Sequence, residues 1–181
     1  MDKAPIIVFE DADLVSAVNG TVFAAFVASG QTCVSGARVL VQDTIYEQFL
    51  SLFLNKIENI TTRMGKRTSH DFFCQYTNKN NLACNPKSSM GTIISQEHLA
   101  RIDAIVKRAS KSARLIAGGQ QMSGFSDLDG SNFSKGSFYP PTVLTDVDTE
   151  DEIWQEEVFG PVVIVKQFKV DLFSSFASSI H

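Results

Sequence analysis

The sequence predicts an α/β fold, with a mainly parallel sheet covered by helices on both faces in a three-layer αβα arrangement. Three observations predict it. Short apolar runs of strand length, such as Ile6–Phe9 and Val39–Val41, alternate along the chain with longer segments. Those longer segments carry apolar residues at helical spacing. Strand–helix–strand order is the pattern of parallel pairing with helical crossovers.

The elements follow in order. Ile6-Ile7-Val8-Phe9 is wholly apolar, as expected of a strand covered on both faces. Asp11 or Asp13 can cap the next helix, where Leu14, Val18, Val22 and Ala25 form one stripe. Val15, Phe23 and Phe26 lie off that stripe, which predicts a helix buried nearly all round. Ala37–Gln42 reads as a strand, and Thr44 to Ile60 as a helix with Ile45, Phe49, Leu52, Phe53 and Ile57 inward. Ser95 opens a further helix with Leu99, Ile102, Val106 and Ala109 on one face. Arg114–Ala117 is a strand ending in the turn Gly118-Gly119. Tyr139–Leu144 and Val162–Phe168 supply two more strands, and Pro140-Pro141 places the first of them at an edge or at its own start.

Composition limits the function classes. With 181 residues, 44% hydrophobic and 20% charged, the chain can bury a core as one domain. A net charge of −4, with no basic stripe, argues against nucleic acid as a partner. No apolar run is long enough to span a bilayer, and Met1-Asp-Lys-Ala-Pro5 has no signal-peptide character, so no membrane partner is expected. Three cysteines, an odd number, fit a reducing, cytoplasmic setting and not a disulfide framework. The sequons Asn59-Ile60-Thr61 and Asn132-Phe133-Ser134 carry no meaning without export. His70, Cys74, Cys84 and His98 lack the closely paired ligand spacing of zinc sites, so no metal is expected.

The most informative stretch is Phe26-Val-Ala-Ser-Gly30-Gln-Thr-Cys33-Val-Ser-Gly36-Ala-Arg38. It places Cys33 in a small-residue turn between an apolar helix and a strand. Glycine on either side lets the backbone bend tightly and approach a ligand. A thiol so presented can act as a nucleophile, since thiolate chemistry follows environment and access. The same residue in a core would be a small, inert apolar group.

Phe26-x-x-x-Gly30-Gln31-x-Cys33 with Arg38 downstream resembles the active-site cysteine signature of the NAD(P)-dependent aldehyde dehydrogenase superfamily. Pro5 to Leu14 resembles that family's strand and turn ahead of the cysteine helix. Gln155-Glu-Glu157-Val-Phe159-Gly160-Pro161-Val162 resembles its Glu-x-Phe-Gly-Pro motif, and Met90 to Ser95 matches a family loop. The likeness covers residues 3–65 and 85–168, in the family's order. It implies an incomplete aldehyde dehydrogenase-like catalytic domain over residues 1–168, a small aldehyde as substrate, NAD or NADP as cofactor, and a homo-oligomer. By motif position, Cys33 would be the catalytic nucleophile, Glu157 would bond the nicotinamide ribose, and Phe159 would pack beside the nicotinamide ring. Arg38 is expected to serve structure or local electrostatics.

The resemblance also marks what the chain lacks. No Gly-x-Gly-x-x-Gly fingerprint occurs, so the cofactor domain is expected to be absent. The family's upstream oxyanion asparagine and its water-activating glutamate have no counterparts, and Glu10 follows its strand instead of preceding it. Losing one oxyanion donor typically costs about 10²–10³ in rate, and losing general base catalysis about 10²–10⁴. The chain alone is therefore expected to show little or no turnover. Residues 66–84 form an atypical insertion, polar and rich in asparagine, and residues 169–181 a tail outside the family pattern. Both read as translated non-coding sequence, or the insertion as a surface loop. Two other functions remain open: a non-catalytic fragment that associates with full-length subunits, and a thiol-reactive protein using Cys33 without nicotinamide.

Overall fold

The computed structural model describes residues 4–60, 90–125 and 132–170. Among these residues five strands form one sheet: β1 Pro5–Val8, β2 Arg38–Gln42, β3 Arg114–Ala117, β4 Thr142–Thr145 and β5 Val162–Phe168. Their spatial order is β1-β2-β5-β4-β3, parallel except for β3, which pairs antiparallel to β4 at one edge. Four α-helices among the described residues accompany it: α1 Leu14–Phe26, α2 Tyr46–Glu58, α3 Gln96–Ala109 and the single turn α4 Glu152–Gln155.

Alternation along the central strands makes the three layers. Val39 and Val41 of β2, with Val143, Val163 and Val165, face α1 and α2 and pack on Phe26, Phe49 and Phe53. Leu40, Leu144, Val162 and Ile164 face the other way, onto Ile102 and Val106 of α3 and Trp154 of α4. Successive strand side chains point to opposite faces, so a strand apolar at every position is one covered twice. Among the described residues, no helix is long and apolar enough to cross a membrane.

Four expectations are corrected. β1 is an edge strand, with Ile7 37% exposed, because an apolar run does not reveal whether a neighbour lies on each side. Helix α1 is not buried all round: Val15 is 62% and Phe23 71% exposed, since α2 packs on only one side of it. The strand expected at Tyr139 begins at Thr142, after the two prolines, and runs inside the sheet between β5 and β3. The prolines lack N–H groups and end just before the ladder starts, which is how an interior strand tolerates them. Leu52 of α2, expected inward, is also exposed. Residues 66–84 and the tail beyond 170 lie outside the described residues.

Side-chain caps fix where two helices begin. The Asp13 carboxylate accepts from the Ser16 amide at 2.8 Å, and the Ser95 hydroxyl accepts from the His98 amide at 3.1 Å. Both satisfy donors that a first helical turn leaves without partners. Replacing Ser95 with alanine is expected to lower stability by about 1 kcal/mol and to fray the turn that carries His98. Urea unfolding reads the first effect, and hydrogen exchange over residues 95–99 reads the second.

Because four strands run parallel, the segments entering β2, β4 and β5 gather at one end of the sheet. They are tied there by backbone bonds: Ile164 N–H to Ala37 O at 2.9 Å, Thr142 N–H to Pro161 O at 2.8 Å, and Ile93 N–H to Ser137 O at 2.8 Å.

Candidate active site

The loop that carries Cys33 starts where α1 stops. The Phe26 ring packs into the core against Phe53, 6.3 Å between centroids. The chain then turns sharply through three consecutive left-handed residues, Ala28 (φ 50°), Ser29 (φ 58°) and Gly30 (φ 67°). Such a conformation costs an ordinary residue about 1–3 kcal/mol and persists only where its surroundings impose it.

Four contacts impose it. Gly30 lies so close to the backbone of Gly160 that a methyl there would overlap the Gly160 carbonyl. The Gln31 side-chain amide donates to Thr92 O at 3.1 Å and accepts from Ile94 N–H at 2.8 Å, pairing with that loop as a strand would. The Ser35 hydroxyl donates to Ala25 O at 3.1 Å, inside the protein. Gly36 N–H bonds Ala24 O at 3.1 Å, while its α-carbon sits against Ile6. Between these anchors a turn closed by Ser35 N–H on Thr32 O, 3.0 Å, lifts Cys33 outward. Its thiol is free and exposed.

The second segment runs from α4 into β5. Arg108 of α3 holds Glu152 through both carboxylate oxygens, at 2.8 and 2.7 Å. The guanidinium keeps the Glu152 carboxyl below its usual range, and the carboxylate raises Arg108 in return. The pair's stabilisation is therefore present above the ordinary carboxylate range and lost as pH falls through the lowered value; at the surface it is small. Beyond α4 the chain is extended. Arg101 reaches Glu157 O and Val158 O, both at 3.4 Å, and His98 Nε2 lies 2.7 Å from Phe159 O. Phe159 is itself left-handed, with φ 57°. Gly160 is pressed between Gly30 and Ile102, where neither side leaves room for a β-carbon. Glu157 and Phe159 are half-buried, and with His98, Arg101, Gln155 and Glu156 they line a cleft of about 610 Å³.

A larger cavity, about 910 Å³, lies at the opposite end of the sheet, beside Tyr46, Arg114, Asp146 and Lys166. Parallel α/β sheets usually bind ligands there, outside the strands' carboxyl ends. Its chemistry is unremarkable: burial, then the Asp146 charge, pushes the Tyr46 hydroxyl up to about 12, so it stays protonated at neutral pH. The amino end is the better candidate, because the exposed thiol and the strained turns on both segments converge on it.

Of the residues singled out in the sequence, Cys33 is exposed on its turn, and Glu157 and Phe159 are joined to that turn through the Gly30–Gly160 contact. Arg38 is buried, with its guanidinium 5.5 Å from the Trp154 ring centroid. His70, Cys74 and Cys84 lie outside the described residues, and His98 is engaged with Phe159. Sequence reasoning missed Gln31, His98 and Arg101 as braces. Each bonds backbone atoms more than fifty residues away, which leaves no local signature.

The nicotinamide cofactor suits these groups at one end. The Glu157 carboxylate makes no hydrogen bond among the described residues, which leaves two acceptors for ribose hydroxyls. The Phe159 ring, at the same cleft, offers an apolar face.

Fold and site together define a parallel-sheet α/β protein with a free thiol presented at the amino ends of its strands. A sequence model of the aldehyde dehydrogenase family matches residues 2–172. The chain belongs to that family. It is 32% identical over 168 residues to 5-carboxymethyl-2-hydroxymuconate semialdehyde dehydrogenase of Escherichia coli, covering 92% of this chain and 31% of the relative. It is 33% identical over 170 residues to betaine aldehyde dehydrogenase of Cereibacter sphaeroides, covering 93% and 29%. The crystal structure of betaine aldehyde dehydrogenase from Staphylococcus aureus in complex with NAD+ superposes with a TM-score of 0.74 at 32% identity, covering 94% of this chain and 29% of that one. The chain thus spans under a third of the length of these relatives.

Proposed function

We propose that residues 1–168 carry the nucleophile and the nicotinamide-facing segment of an enzyme that oxidises a small aldehyde to a carboxylate. The observation that carries this reading is the seat of Gly30 on the Gly160 carbonyl. It joins an exposed thiol and a half-buried carboxylate–aromatic pair in one braced unit.

Cys33, as thiolate, adds to the aldehyde carbon and leaves a tetrahedral alkoxide bonded to its Sγ. Its own backbone N–H would be one donor to the developing oxyanion. A nicotinamide cofactor, NAD or NADP, would supply the acceptor for the hydride that the tetrahedral carbon loses. Cys33 then holds the acyl group as a thioester, and water hydrolyses it to carboxylate and free thiol. Glu157 would hold the ribose through its carboxylate, and Phe159 would pack beside the nicotinamide ring. The free state of Cys33 fits a reducing, cytoplasmic setting, in which the thiol survives.

The test is aldehyde-dependent reduction of NAD+ or NADP+, followed by absorbance with betaine aldehyde and succinate semialdehyde, for wild type and Cys33→Ala. The expected result is a slow rate that depends on Cys33. Dinucleotide reduction unaltered by Cys33→Ala would overturn the reading.

A further inference from the structure

We propose that His98 is a positioning residue that holds Phe159 in the left-handed backbone conformation its role at the cofactor requires. The inference rests on the proposed contact of Phe159 with nicotinamide. Three observations converge on it. The His98 Nε2 lies 2.7 Å from Phe159 O, and a carbonyl oxygen only accepts, so Nε2 carries the proton. The two rings meet edge to face, with centroids 6.2 Å apart, so His98 contacts both the backbone and the side chain of one residue. Phe159 has φ 57°, which a bulky side chain adopts only under constraint.

The position of His98 is fixed from behind. Its own amide bonds the Ser95 cap at 3.1 Å, and the residues before that cap are gripped by the Gln31 amide, two residues from Cys33. One chain of contacts therefore runs from the thiol loop through Gln31 and the start of α3 to Phe159. Arg101, one turn further along α3, adds its bonds to Glu157 O and Val158 O on the same segment. A helix is stiff at this scale, so the distance between nucleophile and cofactor segment is set by side chains on its first two turns.

The test uses the whole chain labelled with ¹⁵N. The Gly160 amide belongs to the same peptide group as Phe159 O, so its resonance reports that hydrogen bond directly. His98→Phe keeps a ring and removes the donor, His98→Ala removes both without adding bulk, and His98→Gln returns an N–H at the reach of Nε2. In the first two variants the Gly160 cross-peak is expected to move and hydrogen exchange over residues 157–162 to quicken about 5-fold, the loss of one net hydrogen bond. His98→Gln is expected to restore both. A Gly160 peak that stays put in His98→Phe and His98→Ala, or a shift that His98→Gln fails to reverse, would overturn the inference. Saturation transfer from protein to the nicotinamide protons of NAD+ separates the two levels. If the Gly160 peak responds while wild type shows no transfer to nicotinamide, the brace stands and the cofactor role of Phe159 falls.

Discussion

Gly30→Ala is expected to destabilise the protein by about 2–5 kcal/mol, measured by urea unfolding. Two costs add. Alanine in the left-handed region loses about 1–2 kcal/mol against glycine, and φ at this position is 67°. The new methyl also meets the carbonyl of Gly160. That obstacle is backbone, and it cannot rotate away, so the overlap costs about a further 1–3 kcal/mol as the two segments are forced apart. Gly160 is itself closely packed, since a β-carbon built on it would meet the Ile102 side chain. The displaced partner is thus the segment bearing Glu157 and Phe159, and the thiol loop should loosen together with it. Gly20→Ala is the control. Gly20 lies inside α1 with nothing within 4 Å of an added β-carbon, so the same change there should raise stability by about 0.5–1 kcal/mol. A loss below about 1 kcal/mol for Gly30→Ala would mean the two segments do not touch.

The parts of this fold that were legible in the sequence are those whose cause is local. β2 and β5 read as strands because their apolar residues form short continuous runs, and both lie inside the sheet with nearly every residue buried. Ser95, and Asp13 as one of two candidates with Asp11, read as caps because a short oxygen-bearing side chain ahead of an amphipathic run has few other uses. The misreadings share a different cause. Ile6–Phe9 and the outer face of α1 are as apolar as core segments, yet what covers them depends on which element lies alongside, and composition does not record that. The site divides in the same way. Glycine at 30 and 36 marked the bend at Cys33, since a close backbone approach has a residue-type requirement. Gln31 and His98 act on carbonyl oxygens, which every residue possesses, so their partners became visible only with the chain folded.

Cys33→Ala should abolish acyl transfer from an activated ester such as p-nitrophenyl acetate. In the wild type the thiolate attacks the ester carbonyl, the carbon–oxygen bond to nitrophenol breaks, and p-nitrophenolate leaves while the acyl group stays on Sγ as a thioester. This reaction needs the nucleophile but neither cofactor nor hydride acceptor, so it isolates the thiol from the rest of the chemistry. Exposure of Cys33 gives the ester access, and the anchors on both sides of its turn hold it at the same place in every molecule. The expected result is a burst of nitrophenolate approaching one equivalent per chain, with the added acetyl mass on the peptide containing Cys33. The substitution should lower the burst rate by about 10³-fold or more, as removal of a nucleophile does elsewhere. Cys74 and Cys84 supply the internal comparison, since all three cysteines share one chain. The double variant Cys74→Ser, Cys84→Ser should keep the burst whole. Acetyl groups found only on those two residues, or a burst unaffected by Cys33→Ala, would remove Cys33 from the chemistry and reduce the Gly30–Gly160 contact to a feature of folding alone.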